Sequence, residues 1–335
     1  MAPVDTDITE WFRAHRAFLW GLCYRITGSP EDADDLVQET FVQALEHAPD
    51  VLAQPRYWLV KVAVNRARNL LRDRKRHGYV GPWLPGPIET SEHEHDLPSF
   101  EPIVEGERTL EGRYDLMESV SLAFLQALEA LSPTQRAVLL LTDVFDYSAA
   151  EAAKALDLSV ANVRTIHHRA KRSMDAYNRR RAIPSDDRRR ATSVALAQFL
   201  QLLNDADMAG IERMLASDVR AVTDGGGEFS ASRRPIVGPA RVARFFVKLR
   251  ESRPRLGNVR IVELNGFPAA LIEFDAPMGR RPPRVALAVD VDRNGLITRL
   301  WGIANSQKLS AIRFSRSFAR SPQAAAGTMS FLRDR

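Results

Sequence analysis

Six polar side chains near the middle of the chain could form hydrogen bonds to DNA bases and phosphates. Their spacing puts them on one face of a helix, and they are Asn162, Arg164, Thr165, His168, Arg169 and Arg172. Donors of these types reach base edges and phosphates when a helix lies in a major groove. The opposite face would turn Val163, Ile166, Ala170 and Met174 toward a core. The pattern predicts a DNA-reading helix, and the alternative is an ordinary bundle helix with a solvated basic face.

The residues that precede this helix predict the elements that position it. Residues 132–135 (SPTQ) and 148–151 (SAAE) are capping boxes, each of which predicts the start of a helix. Residues 157–159 predict a turn, and Ser159 can cap the basic helix. We therefore predict a helix followed by two short helices that are joined by a three-residue turn, which is a helix-turn-helix arrangement.

Length and composition limit the possible classes of protein. The chain has 335 residues, of which 45% are hydrophobic, so we expect two or three domains with cores of their own. The net charge of +5 permits a nucleic-acid partner without requiring one. Cys23 is the single cysteine, which excludes a disulfide framework and a cysteine-based metal cluster; we expect no metal and no cofactor. The sequence contains neither a signal-peptide pattern nor a long apolar run, so we expect a cytoplasmic protein without a membrane partner.

Charge divides the first half of the chain into two helical domains and two linkers. Residues 7–76 are predicted to form an all-helical domain with helices near 8–27, 30–46 and 55–76, the third of them strongly basic. A linker over 77–115 carries nine acidic residues against two arginines. The second helical domain is predicted over 116–178 and contains the helix-turn-helix. A second linker over 179–190 contains six arginines.

The last part of the chain changes from helical to strand-like patterns. Residues 191–314 are predicted to form an α+β domain with a curved antiparallel sheet, since helices come first and strands follow. The predicted strands cover 219–222, 259–264, 269–274, 284–291 and 297–303, and a helix is predicted at 239–250. Residues 315–335 are rich in Ser, Ala and Arg, so we expect a disordered tail there.

Three segments resemble bacterial sigma factors of the extracytoplasmic-function (ECF) group. Residues 32–41 (DADDLVQETF) resemble the region 2 signature, and residues 55–65 (PRYWLVKVAVN) are similar to the promoter-melting helix. Residues 131–172 resemble region 4 of the same group. The resemblance implies a subunit that directs core RNA polymerase to promoters, with two all-α sigma domains.

The rest of the chain resembles a subgroup with a fused SnoaL-like, NTF2-like cone. Residues 81–87 stand where the subgroup has WLPEP, 224–228 where it has DGGGK, and 305–309 where it has NPDKL. The chain departs from these patterns at Gly86, Glu228, Ser306 and Gln307, and it has Asp157 where the helix-turn-helix turn usually has Gly. The resemblance implies regulatory contacts by Trp83, Leu84, Pro85, Asp224, Gly225, Gly226, Gly227, Asn305, Lys308 and Leu309.

The resemblance also implies roles for residues of the first two domains. The surface that would grip the polymerase clamp consists of Asp34, Asp35, Gln38, Glu39 and Phe41, although an acidic helix start can also be merely solvated. The unpaired −10 strand would contact Arg56, Trp58, Lys61, Asn65, Arg66 and Arg68, with a core position as the alternative for Trp58. The six residues between 162 and 172 would read the −35 element. The acidic linker would either pass through the polymerase or act as a charged spacer.

These observations predict an ECF-type sigma factor whose activity is modulated in cis by its C-terminal domain. Its expected partners are core polymerase, through the beta-prime clamp and the beta flap, promoter DNA, and a small ligand in the C-terminal domain. We expect a monomer in the free state and no enzymatic activity. Two alternatives remain: a polymerase-independent helix-turn-helix regulator, and an enzyme that uses Asp224 as a general base in the NTF2-like pocket.

Overall fold

The computed structural model of the protein describes residues 8–47, 55–90, 114–181, 183–252, 258–274 and 279–314. The predictions for the tail at 315–335 and for most of the acidic linker, at 91–113, lie outside the described residues. Within the described part, no helix is long and apolar enough to cross a membrane.

Three helices form the first domain, and their bounds agree with the predicted ones to within a residue. They are α1 (Ile8–Thr27), α2 (Pro30–His47) and α3 (Pro55–His77). The second half of α1 is buried continuously from Leu19 to Thr27, because α2 and α3 pack on it from one side and the second domain from another. Cys23 belongs to this buried stretch, and burial raises the pKa of its thiol to about 12.

Six helices form the second domain, in which the predicted helix-turn-helix is present. They are α4 (Leu116–Val120), α5 (Leu122–Leu128), α6 (Pro133–Asp143), α7 (Ala149–Leu156), α8 (Val160–Ser173) and α9 (Asp175–Asn178). Both predicted capping boxes are formed, at the start of α6 and of α7. Ser159 caps α8 by accepting a hydrogen bond from the backbone N–H of Asn162 at 3.2 Å.

In the turn between α7 and α8, Asp157 occupies the position at which glycine is usual. Asp157 ends α7 in the left-handed region, with φ 58° and ψ 48°. Aspartate is one of the few residues other than glycine that adopts this conformation at moderate cost. The departure therefore preserves the turn and adds a carboxylate to it.

In its described residues, the third domain combines three helices with one six-stranded sheet. The helices are α10 (Asp186–Asn204), α11 (Met208–Arg213) and α12 (Pro239–Glu251), and the strands are β1 (Leu215–Asp224), β2 (Ile236–Val237), β3 (Asn258–Leu264), β4 (Phe267–Glu273), β5 (Arg284–Val291) and β6 (Ile297–Ile303). The strand order is β2-β1-β6-β5-β4-β3. The prediction of an antiparallel sheet was wrong in one respect: β1 and β6 pair in parallel, so the sheet is mixed.

Both faces of this sheet contribute buried residues, and these belong to different cores. Alternate residues point to opposite faces of a strand. On β4, Ala270 and Ile272 pack under α10 and α12 in the domain's own core. Ala269 and Leu271 instead join the core that contains the helices of the first two domains. We call this second surface, which also includes Val222 and Trp301, the outer face of the sheet. Its residues belong to the same core as those of both helical domains.

Candidate functional site

The predicted −35 face of α8 is open to solvent. All six of its predicted DNA contacts (Asn162, Arg164, Thr165, His168, Arg169 and Arg172) are exposed. The opposite side of α8 is fixed to α6, because Asp143 lies 2.7 Å from the Nε2 atom of His167 and 3.1 Å from Nζ of Lys171. Burial opposes ionisation of Asp143, but the contacts with His167 and Lys171 outweigh it and lower the pKa of this carboxyl. The six residues are thus positioned together on a supported helix.

The predicted polymerase contacts on α2 divide into exposed and buried residues. Asp34, Asp35, Gln38 and Glu39 are exposed on one side of the helix. Phe41 is instead 5% exposed and packs edge-on against the Phe12 ring, 4.9 Å away between centroids. Its side chain belongs to the core of the first domain and is not exposed to a partner in this arrangement, while its role in polymerase binding stays a prediction. Helical periodicity explains the result, because residue 41 lies on the same face as Val37 and Ala44.

The predicted −10 contacts on α3 are largely engaged within the protein. Arg56 lies over the rings of Phe18 and Tyr147, with its guanidinium carbon 4.3 and 5.1 Å from the centroids. Lys61 Nζ contacts the Asp157 carboxylate at 3.0 Å. Trp58 is half-buried against the core, in keeping with the alternative reading of this residue.

The more C-terminal −10 candidates have partners on α2 and α3. Arg66 donates to Gln43 at 3.2 Å and pairs with Glu39, while Arg68 and Asn65 contact each other at 3.5 Å. Asn65 is exposed. Arg66 therefore joins the predicted −10 helix to the predicted polymerase surface.

The helix-turn-helix itself covers the beginning of α3. The Tyr57 hydroxyl donates to Glu151 of α7 at 3.3 Å, and Lys154 of α7 lies 4.6 Å from the centre of the Tyr57 ring. Together with the Lys61–Asp157 contact, these interactions place α7 and the turn after it on α3. The two predicted DNA-contacting helices consequently belong to domains that are packed against each other.

Asp224, at the end of β1, holds the segment that follows α3. This segment, residues 79–90, lies between the first and third domains, and we call it the linker strap. The buried carboxylate accepts hydrogen bonds from the Tyr79 hydroxyl at 2.5 Å, the Leu84 backbone N–H at 2.8 Å and Lys308 Nζ at 2.6 Å. A fourth donor is the N–H of Gly226 at 3.0 Å. Asp224 is thus saturated by donors from the strap and from its own domain.

Lys308 completes this cluster. Its ammonium group lies 4.2 Å from the centre of the Trp83 indole and 4.6 Å from that of the Tyr79 ring, and it also donates to the Leu84 carbonyl. Burial lowers the pKa of Lys308 to about 8, although the charge and hydrogen bond of Asp224 act in the opposite direction. The predicted regulatory residues of all three motifs therefore meet at one buried ion pair.

Close approaches account for glycine at two positions of the motifs, the predicted contact Gly226 and the departure Gly86. Gly226 has φ +61°, and a Cβ there would lie 2.1 Å from Nδ2 of Asn305. That same amide donates to the Tyr79 hydroxyl at 3.0 Å. Gly86 donates to the Gly28 carbonyl at 2.8 Å, and a Cβ on it would lie 2.9 Å from Cδ of Pro30. This contact gives a reason for glycine at position 86, where the subgroup pattern has a glutamate.

Two other departures from the motifs contact each other. Glu228 accepts hydrogen bonds from the Ser306 hydroxyl at 2.9 Å and from the Ser306 backbone N–H at 3.3 Å. A proline at position 306 would have no N–H to donate. Gln307 donates its backbone N–H to Asn305 at 2.9 Å. Glu228 and Ser306 therefore join the loop after β1 to the loop after β6, and both residues differ from the subgroup pattern.

A second buried anchor was missed by sequence reasoning. Asn265, in the turn between β3 and β4, donates from Nδ2 to the Tyr24 hydroxyl and to the Val120 carbonyl, both at 2.7 Å. It also exchanges hydrogen bonds with the backbone of Ile88, at 3.0 and 3.1 Å. One side chain thereby joins α1, the strap and α4. In the sequence, the Asn265-Gly266 pair predicts a tight turn. No local pattern predicts that the Asn265 side chain bonds to residues so distant in the chain.

Further contacts between domains involve one arginine and one tryptophan. Arg25 is 1% exposed and donates to Ser119 at 2.8 Å and to the Leu116 carbonyl at 3.2 Å, which joins α1 to α4. Burial lowers the pKa of Arg25 to about 10. On the outer face, the Trp301 indole N–H donates to Gln126 of α5 at 3.0 Å. The third domain thus contacts both helical domains through specific polar groups.

The interior of the third domain contains an apolar cavity of about 310 Å³. Its walls include Phe245, Phe246 and Phe274, and Asp224 lies at one end. Both carboxylate oxygens of Asp224 already accept two hydrogen bonds each. This geometry gives no support to Asp224 as a general base, because both of its oxygens are already occupied by donors from the strap and from its own domain.

Comparisons with known proteins agree with the two helical domains. The Sigma-70 region 2 family matches residues 11–77, and the Sigma-70 region 4 family matches residues 121–174. The RNA polymerase sigma factor NccH of Alcaligenes xylosoxydans xylosoxydans is 32% identical over 156 residues, which cover 45% of this chain and 76% of NccH.

One relative is similar along almost the whole chain. The ECF RNA polymerase sigma factor SigJ of Mycobacterium tuberculosis is 29% identical over 313 residues, which cover 91% of this chain and 93% of SigJ. Its crystal structure matches with a TM-score of 0.66 at 24% identity, over 90% of this chain and 98% of that one. The similarity in fold therefore extends through the third domain.

Proposed function

The chain belongs to the ECF family of RNA polymerase sigma factors, and we propose that its third domain controls in cis when the sigma domains can engage a promoter. Sigma factors bind core RNA polymerase and promoter DNA and start transcription from specific sites. The family assignment agrees with the expectation that the protein is not an enzyme. What the proposal adds is a closed state in which promoter binding is held back.

The observation that carries this proposal is the packing of α7 on α3. The −10 and −35 elements are separate stretches of duplex, and each base pair between them adds about 3.4 Å along the helix axis. In the closed arrangement, Tyr57 of the −10 helix and Glu151 of the helix-turn-helix are 3.3 Å apart. The two domains must separate before they can contact both elements of one promoter.

The third domain supplies what keeps the helical domains together. The outer face of its sheet shares one core with both of them, and Asp224 with Lys308 holds the strap that leads out of α3. Removing one partner from a buried ion pair leaves the other charge uncompensated. We therefore expect the contact between Asp224 and Lys308 to be either intact or fully broken. We infer that closure is a two-state property in which the strap is either held or released.

The proposed division of binding follows from the same arrangement. The exposed acidic side of α2 would bind the beta-prime clamp, and the second domain would bind the beta flap. The face of α8 would read the −35 element, and α3 would hold the −10 strand after release. The protein would work as a monomer in the cytoplasm, where the chromosome is transcribed. The apolar cavity beside Asp224 supports a small ligand as one possible signal.

In vitro transcription with purified core polymerase tests this proposal. The template is a library with randomised −35 and −10 elements, and the full chain is compared with its Asp224→Asn variant. We expect promoter-specific initiation by both proteins, with a higher yield from the variant because its strap is released. Absence of specific initiation from both would contradict promoter recognition, whereas equal yields would contradict control by the third domain.

A further inference from the structure

A second cleft lies between the second domain and the outer face of the sheet. It has a volume of about 470 Å³, which is within the range of small-molecule sites. Helices α8 and α9 with the residues after them form one wall, and β1 and β6 form the other. Four arginines line it, two from each wall: Arg179 and Arg180, and Arg220 and Arg299. The cleft is therefore a basic site at a domain boundary.

The two sheet arginines are forced close together by strand register. Arg220 of β1 and Arg299 of β6 are paired positions on neighbouring strands, so their side chains leave the same face side by side. Like charges directly opposite each other in a sheet are destabilising. Burial lowers the pKa of Arg299; Asp290 opposes this shift, whereas the charges of Arg180 and Arg220 add to it. An anion between these guanidinium groups would relieve their repulsion.

The nearby carboxylates do not neutralise the group. Asp218 pairs with Arg180 at 2.5 Å, and Asp290, which is paired with Arg299 across the sheet, contacts Arg188 at 2.6 Å. Among the residues that the structure describes, Arg220 and Arg299 have no ion pair of their own, and no acidic residue lines the cleft. The cleft thus retains positive charge after its internal pairs are counted.

The remaining lining is apolar and aromatic. Val222 and Trp301 continue the strands from Arg220 and Arg299 on the same face, and Ala127 and Ala130 lie opposite on the second domain. A ligand that filled this space would need an anionic end for the arginines and a flat or apolar end for the indole side. Guanidinium groups favour phosphate because their paired donors match its oxygens.

We propose that this cleft binds a small organic phosphate of nucleotide size. Its phosphates lie among Arg180, Arg220 and Arg299, and its apolar part lies against Val222 and Trp301. The concave shape and the half-buried position of Arg299 favour a small molecule over a DNA backbone. Because both domains contribute arginines, the bound phosphate would also hold them together; this consequence rests on the proposed function, whereas binding does not.

Isothermal titration calorimetry on the full chain tests the site with three probes: ADP, pyrophosphate and adenosine. ADP should bind, pyrophosphate should bind more weakly, and adenosine should give no measurable heat. Arg220→Gln and Arg299→Gln should each weaken ADP binding by about tenfold or more, since each removes a charge-assisted contact. The control is Arg241→Gln, an exposed arginine on α12, which should leave ADP binding unchanged.

Three results would overturn the site. The first is the absence of binding by both ADP and pyrophosphate at millimolar concentration. The second is an unchanged ADP affinity in both cleft variants, which are checked for folding by circular dichroism. The third is a loss of duplex DNA binding in the variants without any loss of ADP binding, which would assign the arginines to DNA. None of these results would affect the transcription test of the strap, so the two proposals can fail separately.

Discussion

The two basic helices α3 and α8 are alike in composition but differ in their surroundings. Every predicted DNA contact on α8 faces solvent, whereas Arg56 and Lys61 on α3 contact aromatic rings and a carboxylate within the protein. The difference teaches that the proposed closure would cover the predicted −10 helix and leave the predicted −35 helix open. A closed molecule could still present its −35 face while its −10 helix stays covered.

Asp224→Asn should have the largest effect on this difference between α3 and α8. The amide leaves the Lys308 ammonium buried without its carboxylate, so we expect the held state to lose about 3 kcal/mol or more. Hydrogen exchange should then increase over the strap and at the α3–α7 contact but not on α8. Asp187→Asn, which affects an exposed ion pair with Arg190 within α10 of the same domain, should change little. Equal increases on α3 and α8 would indicate general unfolding and contradict the prediction.

Asn265→Gly tests the second anchor with a smaller expected effect. Asn265 has φ 54°, a conformation that glycine adopts easily, so the substitution removes hydrogen bonds with little change in backbone strain. The Tyr24 hydroxyl and the Val120 carbonyl lose a buried donor, and we expect the midpoint of urea denaturation to fall by an amount that corresponds to about 2 kcal/mol.

The matched control for this anchor is Asn294→Gly, at an exposed turn position of the same sheet. Its effect on the midpoint should be small. If the two variants lower it equally, the Asn265 side chain contributes nothing beyond its turn.

Much of this arrangement could be predicted, because its signals are local. The capping boxes at Ser132 and Ser148 fixed two helix starts through contacts that span three residues. The strand-like stretches at 284–291 and 297–303 located β5 and β6 to the residue. Asp224, Lys308 and Trp83 could be grouped only through their resemblance to motifs of a family, since they are far apart in the sequence.

The remainder could not be predicted, because it depends on distant pairings. The parallel alignment of β1 with β6 joins strands that are separated by more than seventy residues, and no local pattern records it. The sequence around Asn265 predicts a turn, and this pattern gives no information about the contacts of its side chain with other domains. Phe41 was assigned to a partner surface from resemblance, although helical periodicity already grouped it with buried Val37.

Arg169→Ala should affect promoter recognition and leave closure intact. The side chain is exposed on α8, so its loss should not alter hydrogen exchange at the α3–α7 contact. Binding of the polymerase holoenzyme to its promoter should weaken by about 1–3 kcal/mol if this residue reads a base. Fluorescence anisotropy at several salt concentrations measures the loss, with Arg213→Ala as the control. A weakening that is equal for promoter and random DNA would reduce its role to a phosphate contact.

The pKa of Lys308 predicts how closure responds to pH. Since burial lowers this pKa to about 8 in the closed state, opening takes up a proton between pH 8 and the ordinary lysine pKa of about 10.5. The open state binds more protons in this window, so closure should become more favourable as pH rises above 8. Hydrogen exchange of the strap, corrected for the intrinsic rate at each pH, should show this trend in the wild type. Persistence of the trend in Lys308→Met would assign it to another group.

The smallest expected effect comes from Asp157→Gly, which alters the α3–α7 contact directly. Glycine keeps the left-handed turn at position 157 and removes only the carboxylate that contacts Lys61. Both side chains of this pair are exposed, so we expect a loss of less than about 1 kcal/mol, which salt should screen. Exchange at the α3–α7 contact should increase slightly at low salt and converge with the wild type at high salt. A large increase that salt does not reduce would mean that the turn itself, rather than the ion pair, holds the −10 helix.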